Sequence, residues 1–156
     1  MKRIGTLVIA ALLAAQPSSA KVVSVPILPL TTLTTAVTAV VGEQIRLTDQ
    51  LRAQCFQLNF VYGSGGTTSK VWVQTSLDGG STWIDVANFA VTTASARRVS
   101  CVKANTAVAA NVTPSDGALA DNTILDGVLG EFVRTKLTST GTYGGSTTIR
   151  VDMVAR

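Results

Sequence analysis

The sequence predicts one all-β domain, an antiparallel β-sandwich of jelly-roll or immunoglobulin-like type with an extended N-terminal arm. Thr, Val, Ala, Ser and Gly dominate the composition and only 14% of residues are charged, which favours strands and turns over helices. Several short segments alternate apolar with polar residues, and glycine-containing turns separate them. A chain of 156 residues can bury one core without a metal or a disulfide.

The first twenty residues have the pattern of a secretory signal peptide. Lys2 and Arg3 precede the apolar run 4–15, and small residues lead up to Ala20. The run is shorter than the roughly 20 apolar residues that a membrane-spanning helix needs. Two expectations remain open. Cleavage near Ala20 would export the protein, whereas a retained apolar arm would need a partner surface to cover it.

The arm is predicted to continue to residue 43. Pro26 and Pro29 interrupt a segment rich in β-branched residues, so we expect an extended conformation rather than a helix. An arm of this kind can lie across a neighbouring subunit. The sandwich domain is expected over residues 44–156, beginning with a strand at 44–49 that alternates apolar and polar residues.

Residues 54–62 have the clearest strand pattern. Phe56, Leu58, Phe60 and Tyr62 occupy one face, which predicts a central strand. The glycine-rich segment that follows is predicted to be a loop. It lacks the spacing of a phosphate-binding P-loop and a strand rather than a helix follows it, so we do not expect it to bind phosphate.

A hairpin is predicted next, with strands at 70–75 and 83–87 and a tight turn at Asp78-Gly79-Gly80. The turn has the pattern Ser-x-Asp-x-Gly-x-Thr-Trp, and it resembles the Asp-box of sialidases and other β-propellers. In that family the Asp and Ser or Thr side chains bond to amides of their own turn while the Trp packs underneath. The resemblance implies structural roles for Ser76, Asp78, Gly80, Thr82 and Trp83. The pattern occurs once, whereas a propeller repeats blades of about 40–50 residues, so sialidase activity is not expected.

The C-terminal half is predicted to contain three more strands. Residues 96–102 form the first, and the stretch 103–130 is expected to be irregular. Residues 131–138 and 147–154 are predicted to pair with each other as a second hairpin across a glycine-rich turn.

Acid-base or nucleophilic catalysis has few candidate residues. The sequence contains no His, so the commonest general base is missing. Glu occurs only at Glu43 and Glu131, and Asp85 and Asp152 lie on predicted strands whose alternate residues face solvent. We therefore expect no enzyme, no catalytic residue and no cofactor.

No metal site is expected either. Cys55 and Cys101 lack the spacing of a zinc site. They could form a disulfide between strands if the protein is exported, or remain small buried thiols if it is intracellular. Asp116, Asp121 and Asp126 recur every five residues, as calcium ligands on a loop can, but the EF-hand spacing is absent. Each Asp is also typical of a turn or a helix cap, and Asp121 or Asn122 could cap a short helix through Leu129.

The charge does not indicate a nucleic-acid partner. The formal charge is +4, but without Lys2 and Arg3 the chain has 11 basic and 9 acidic residues. The remaining basic residues, including Arg97 and Arg98, lie among strands without interleaved aromatic side chains. A solvated strand face accounts for them.

Three segments, 60–67, 73–87 and 133–151, together resemble small β-sandwich virion proteins encoded by tailed bacteriophages and their prophages. The resemblance covers about residues 54–154, and the segment before Lys21 departs from it. It implies a virion structural protein, with a capsid decoration or cement protein as the leading expectation. Such a protein would be a homo-oligomer located in the virion and bound to other virion proteins, above all the major capsid protein. Contact with nucleic acid, or with a membrane in the mature state, is not expected.

Two alternatives remain. A tail or fibre component is the alternative within the particle. The alternative from another class is an exported carbohydrate-binding module, secreted or periplasmic after cleavage near Ala20. In such a module exposed aromatic residues, namely Tyr62, Trp72 or Tyr143, would stack on sugar rings. The aromatic content of 5% disfavours this second alternative.

Overall fold

The computed structural model describes residues 23–47, 52–108 and 110–156, which form eleven β-strands and no helix. These residues therefore contain no helix long and apolar enough to cross a membrane. The strands are β1 (Val23–Thr32), β2 (Val37–Val41), β3 (Ile45–Arg46), β4 (Ala53–Val61), β5 (Ser64–Gly65), β6 (Thr68–Ser76), β7 (Ile84–Val91), β8 (Ala96–Lys103), β9 (Phe132–Thr140), β10 (Tyr143–Gly144) and β11 (Thr148–Ala155).

The strands are arranged in two main antiparallel sheets. Sheet A has the order β1-β11-β4-β8, and sheet B has the order β2-β9-β6-β7, with β3 also paired to β9. Strands β5 and β10 form a separate two-stranded ribbon. This architecture confirms the predicted all-β, antiparallel fold class.

The core lies between the two sheets and is built from the inward-facing residues of both. Phe56, Leu58 and Phe60 of β4 are buried, and they share one apolar cluster with Val71 and Val73 of β6. Burial of each such side chain stabilises the fold by roughly 1.5–3 kcal/mol. Strand β4 lies between β11 and β8, as its alternating sequence predicts for a central strand.

The predicted division at residue 43 is wrong for the described part of the arm, because residues 23–43 belong to the sandwich. Strand β1 pairs with the C-terminal strand β11, and Ile27 and Leu28 are buried in the core. Pro26 and Pro29 are accommodated because β1 is an edge strand with shifts in its register, and both settings tolerate a missing N–H. The signal-like segment lies outside the described residues.

The predicted pairing of residues 131–138 with 147–154 is also wrong, although both strands exist. Strand β9 lies beside β6 in sheet B, whereas β11 lies beside β4 in sheet A. The chain crosses between the sheets at β10, where Tyr143 is buried and its hydroxyl donates to the Thr68 carbonyl at 2.6 Å. Alternation shows which face of a strand is buried but not which strand lies beside it, so the sequence could not distinguish the two arrangements.

Residues 104–108 and 110–131 are called here the cover loop, and its segment 115–119 lies against the outer face of sheet B. The indole N–H of Trp72 donates to the Leu119 carbonyl at 3.0 Å. As a result, β6 is buried on both faces from Val71 to Ser76. On sheet A, by contrast, the outward residues of β4 and β11 remain partly or fully exposed.

Candidate functional site

The five residues with predicted structural roles meet in the turn between β6 and β7. The Ser76 hydroxyl donates to the Asp78 carboxylate at 2.8 Å and accepts the Gly80 N–H at 2.9 Å. The Asp78 carboxylate accepts the backbone N–H of Thr82 at 2.8 Å and its hydroxyl at 2.7 Å. These bonds from Thr82, followed by the bond from Ser76, favour the ionised carboxylate and lower the pKa of Asp78 from 3.8 to about 2.

Trp83 packs at the base of the same turn. Its indole N–H donates to the Gly80 carbonyl at 3.1 Å, and the residue is 7% exposed. Arg134 of β9 covers the ring, with its guanidinium carbon 4.0 Å from the ring centroid, in a cation–π contact. The polar side chains therefore hold the turn of the β6–β7 hairpin together, and the contact between Trp83 and Arg134 ties the turn to β9 of the same sheet.

A buried polar cluster on the outer face of sheet B was missed by the sequence reasoning. Asp85 of β7 is 1% exposed, although the strand pattern placed it toward solvent. Its carboxylate accepts hydrogen bonds of 2.7–3.1 Å from the Gln74 amide, the Ser115 hydroxyl and the backbone N–H groups of Gly117, Ala118 and Leu119. A carboxylate with so many donors anchors the cover loop to sheet B.

Gln74 links this carboxylate to charged groups at the rim of the cluster. Its amide nitrogen also donates to Asp116 at 2.9 Å, and its carbonyl accepts from Arg134 at 2.7 Å. Asp116 forms ion pairs with Arg134 and Lys136 at 3.3 and 3.1 Å. The hydrogen bond from Gln74, followed by the contact with Lys136, lowers the pKa of Asp116. The sequence signal available for this cluster was a combination of two features. Two predicted strands carry polar residues at facing positions, and a long irregular segment follows them.

The other two carboxylates considered as calcium ligands have separate partners. Asp121 pairs with Lys70 at 2.8 Å. Asp126 accepts the Lys103 backbone N–H at 2.6 Å and the Thr106 hydroxyl at 2.7 Å, and these bonds lower its pKa. Within residues 23–47, 52–108 and 110–156, no three His, Cys, Asp or Glu side chains come together as a metal site would require.

The two cysteines form a disulfide that joins β4 to β8. Cys55 and Cys101 lie directly opposite each other in the strand register, with their Cα atoms 4.0 Å apart. The disulfide was one of the two outcomes that the sequence left open. A Cα separation this short is typical of a non-hydrogen-bonded pair in an antiparallel sheet.

The aromatic residues considered for sugar stacking are largely occupied elsewhere. Trp72 and Tyr143 are 8% and 5% exposed, so their ring faces are not available at the surface. Tyr62 is half-buried, and its hydroxyl donates to the Gly65 carbonyl at 2.9 Å. These three residues therefore do not form an exposed aromatic strip.

An open depression of about 270 Å³ lies between β7 and β8, lined by Asn88, Phe89, Arg98, Val99, Ser100 and Asn122. Asn88 is 1% exposed, and its side-chain oxygen accepts the Asn122 N–H at 3.1 Å. The amide nitrogen of Asn88 has no hydrogen-bond partner among the described residues. A buried donor and an arginine, Arg98, that line the same depression favour an occupant that accepts hydrogen bonds and carries negative charge.

Three groups of polar side chains are the main candidates for a functional site: the Asp78 turn, the Asp85 cluster that anchors the cover loop, and the depression beside β8. The first two sets bond within the protein, whereas the third faces an open edge. Comparison with known proteins finds no matching family model, no matching curated protein and no matching solved structure.

Proposed function

We propose that the protein is a non-enzymatic structural component of a bacteriophage particle, a decoration or cement protein that stabilises the head through contacts with capsid subunits. The observation that carries the proposal is the distribution of polar groups. Gln74 and Asp85 fix the protein's own cover loop, while the outer face of sheet A and the edge of β8 stay exposed. A rigid body with broad exposed β-surfaces suits repeated contacts in a symmetric particle.

Catalysis finds little support in the two carboxylates of the polar cluster, Asp85 and Asp116. A general base must be free to exchange a proton with its substrate. Asp85 instead accepts bonds from an amide, a hydroxyl and three backbone N–H groups, and Asp116 is ion-paired with two cations. Both carboxylates are therefore assigned to stabilising the fold.

The disulfide also supports a particle component. Cys55 and Cys101 connect strands that are 46 residues apart in sequence, so the bond restricts the unfolded chain. Disulfides persist in oxidising surroundings, which include virion surfaces as well as the periplasm and the extracellular space. A capsid-stabilising protein on the outside of a particle would meet such surroundings.

An exported carbohydrate-binding module is the second candidate, because the disulfide and the signal-like residues 1–20 both fit export. Its weakness is the burial of Trp72 and Tyr143, which removes two of the three aromatic residues that could stack on sugars. We therefore rank it below the virion protein.

The proposal is tested by mass spectrometry of particles purified from the natural source. We expect the protein in many copies per particle, and we expect it to stay with the heads when tails are removed. Particles made without the protein should release their genome at a lower temperature than wild-type particles. Adding back the wild-type protein should restore the original temperature, which controls for other defects in the mutant particles.

Two outcomes would contradict the proposal. If the protein is absent from particles and is recovered as a small soluble species that begins at Lys21, the exported module replaces it. If it is present but stays with isolated tails, the tail or fibre alternative replaces the decoration protein.

A further inference from the structure

The outer edge of β8 presents backbone groups that the described residues leave unpaired. The Ala104 N–H donates to the Arg52 carbonyl at 2.9 Å, so even-numbered residues of this strand turn their N–H groups toward β4. Odd-numbered residues therefore turn theirs outward, as the facing position of Cys101 and Cys55 also requires. Lys103 fits this alternation, since its N–H points away from β4 and bonds to Asp126.

Three outward positions, Arg97, Val99 and Cys101, lack such a cap in the described structure. No hydrogen bond from their N–H groups to a loop or side chain is present among the described residues. Val99 is 64% exposed, and most of β8 is exposed or half-buried. An edge strand of this kind is a template for the backbone of another extended chain.

Basic side chains flank the uncapped positions. Arg97 and Arg98 are both exposed, and neither forms an ion pair with a described carboxylate. Among the described residues, the Arg97 side chain donates to the Asn59 side chain alone, at 3.4 Å. Because strand neighbours point to opposite faces, Arg97 lies on the outer face of sheet A while Arg98 lines the depression that holds the unpartnered Asn88 nitrogen.

We propose that β8 binds an extended, acidic segment of a partner protein, which adds to sheet A as a fifth strand beside β8. The segment would pair with the backbone of Arg97, Val99 and Cys101. Two consecutive acidic residues would face Arg97 and Arg98 on opposite sides of the added strand, and an apolar residue would lie opposite Val99. This assignment rests on the proposed function, since the segment is taken to belong to a neighbouring virion protein.

The observations favour this occupant over two others. Antiparallel pairing of β8 with a second copy over residues 97–99 would bring the two Arg97 side chains near each other on one face and the two Arg98 side chains near each other on the other, which like-charge repulsion opposes. Nucleic acid could satisfy the charges of Arg97 and Arg98, but it has no backbone with the donor and acceptor period of a strand. An acidic polypeptide satisfies both the charges and the open edge.

The test uses the full mature protein and an eight-residue probe peptide with blocked ends. The probe has the sequence Thr-Val-Thr-Val-Glu-Glu-Thr-Val, and its control replaces both Glu residues with Lys. Amide hydrogen exchange is followed by NMR with and without the peptide. We expect exchange at Arg97, Val99 and Cys101 to slow by about tenfold with the Glu peptide, with little change at Arg98 and Ser100, which already bond to β4.

Matched variants separate charge from fold. Arg98→Glu should weaken the Glu peptide by about tenfold, whereas Arg156→Glu, which makes the same change in net charge at the far end of sheet A, should leave its affinity unchanged. Val99→Pro, which removes an outward N–H, should weaken the peptide while preserving the fold. Each variant is checked by thermal unfolding first.

Several outcomes would overturn the inference. Unchanged exchange at the amides of Arg97, Val99 and Cys101, or equal affinity for the Glu and Lys peptides, would exclude an acidic segment at this edge. Slower exchange that depends on protein concentration without any peptide would mean that a second copy pairs with β8. Saturable binding of a single-stranded oligonucleotide without slower exchange at these amides would mean that the arginines bind nucleic acid instead. Absence of the protein from particles, measured separately, would instead remove the proposed function. The peptide experiment therefore distinguishes failure of the edge site from failure of the virion proposal.

Discussion

Strands β7 and β8 follow one another in the chain and form neighbouring edges of the two sheets, but their outer edges differ. On β7, the Val86 carbonyl and the N–H groups of Asn88 and Ala90 bond to residues 122–125 of the cover loop at 2.9–3.0 Å. On β8, the N–H of Lys103 has a comparable cap in the described structure, provided by Asp126. One edge is thus closed by the protein itself and the other is open over most of its length.

The difference between the two strands shows that coverage of a sheet edge is independent of how the strand contributes to the core. Both strands contribute to the core, through Phe89 of β7 and Val102 of β8, so burial alone does not explain why only one edge is covered. Uncovered edges invite pairing with other chains, and proteins usually block them. We infer that the β7 edge serves stability and that the β8 edge serves interaction.

The largest expected effect is at the anchor of the cover loop. Asp85→Ala would leave the backbone N–H groups of Gly117, Ala118 and Leu119 without their acceptor, and the Gln74 amide would keep only its bond to Asp116. We expect the free energy of unfolding to fall by roughly 5 kcal/mol, because several buried donors lose their partner at once. Urea denaturation measures the change, and hydrogen exchange should show that the β7 edge opens.

Asp121→Ala is the matched control, since it also removes a carboxylate that links the cover loop to sheet B. Asp121 contacts Lys70 in a half-exposed ion pair, so we expect a loss below about 1 kcal/mol. Equal losses in the two variants would mean that Asp85 does not anchor the loop.

The next effect concerns the attachment of β8 to its sheet. The Cys55→Ala/Cys101→Ala variant removes a bond that closes a 46-residue separation, and it should lower the free energy of unfolding by up to about 4 kcal/mol. Most of this loss comes from the greater entropy of the unfolded chain without the disulfide, so the open edge of β8 should persist in the folded variant. Urea denaturation of the variant and of reduced wild-type protein should agree. A variant that also loses affinity for the acidic probe peptide would show that the disulfide shapes the edge.

The sequence carried enough information to predict the strands but not their neighbours. The alternation of Phe56, Leu58 and Phe60 predicted β4 and its buried face because apolar burial follows the period of a strand. The same kind of alternation predicted β9 and β11 but paired them wrongly, since pairing depends on which sheet each strand joins. Pro26 and Pro29 suggested a separate arm because an edge strand and a free extended arm tolerate proline equally well.

The polar sites were less predictable than the core. The Asp78 turn could be recognised from local sequence, because its hydrogen bonds join residues no more than four positions apart. The Asp85 cluster joins residues 30–34 positions apart through the cover loop. A loop without periodicity gives no sequence signal for the surface on which it lies, and so Asp85 was assigned to solvent.

Proline substitutions compare the two edges directly. Ala90→Pro on β7 removes an N–H that bonds to the Asn122 side chain, and we expect a loss of about 2 kcal/mol. Val99→Pro on β8 removes an outward N–H without a described partner, so the loss should stay within about 1 kcal/mol. Ser100→Pro is the control within β8, because its N–H faces β4, and it should cost about 3 kcal/mol. Similar losses for Val99→Pro and Ser100→Pro would refute the assigned alternation.

A smaller effect is expected at Lys103, the position of β8 that has a cap among the described residues. Asp126→Ala removes the acceptor for the Lys103 N–H and the Thr106 hydroxyl, and it should lower the free energy of unfolding by about 1 kcal/mol. Exchange of the Lys103 amide should accelerate, while the Ala104 amide, which bonds to Arg52, should change little. If both amides accelerate equally, Asp126 holds the end of the strand rather than capping its edge.

The smallest effect lies in the turn that leads into β7. Because hydrogen bonds favour the ionised Asp78 carboxylate, its pKa in the folded protein is about 2 rather than 3.8. The sign follows from linkage: the stabilisation is fully present above pH 3.8 and is lost as the pH falls through about 2. An NMR titration of the Asp78 carboxyl carbon measures the pKa directly.

Thr82→Ala removes the hydroxyl bond to Asp78 but keeps the bond from the backbone N–H, which is the larger cause of the lowered pKa. The pKa of Asp78 should therefore rise only part of the way toward 3.8. A wild-type pKa near 3.8 would mean that the turn in solution lacks these bonds and that β7 begins without the support of Asp78.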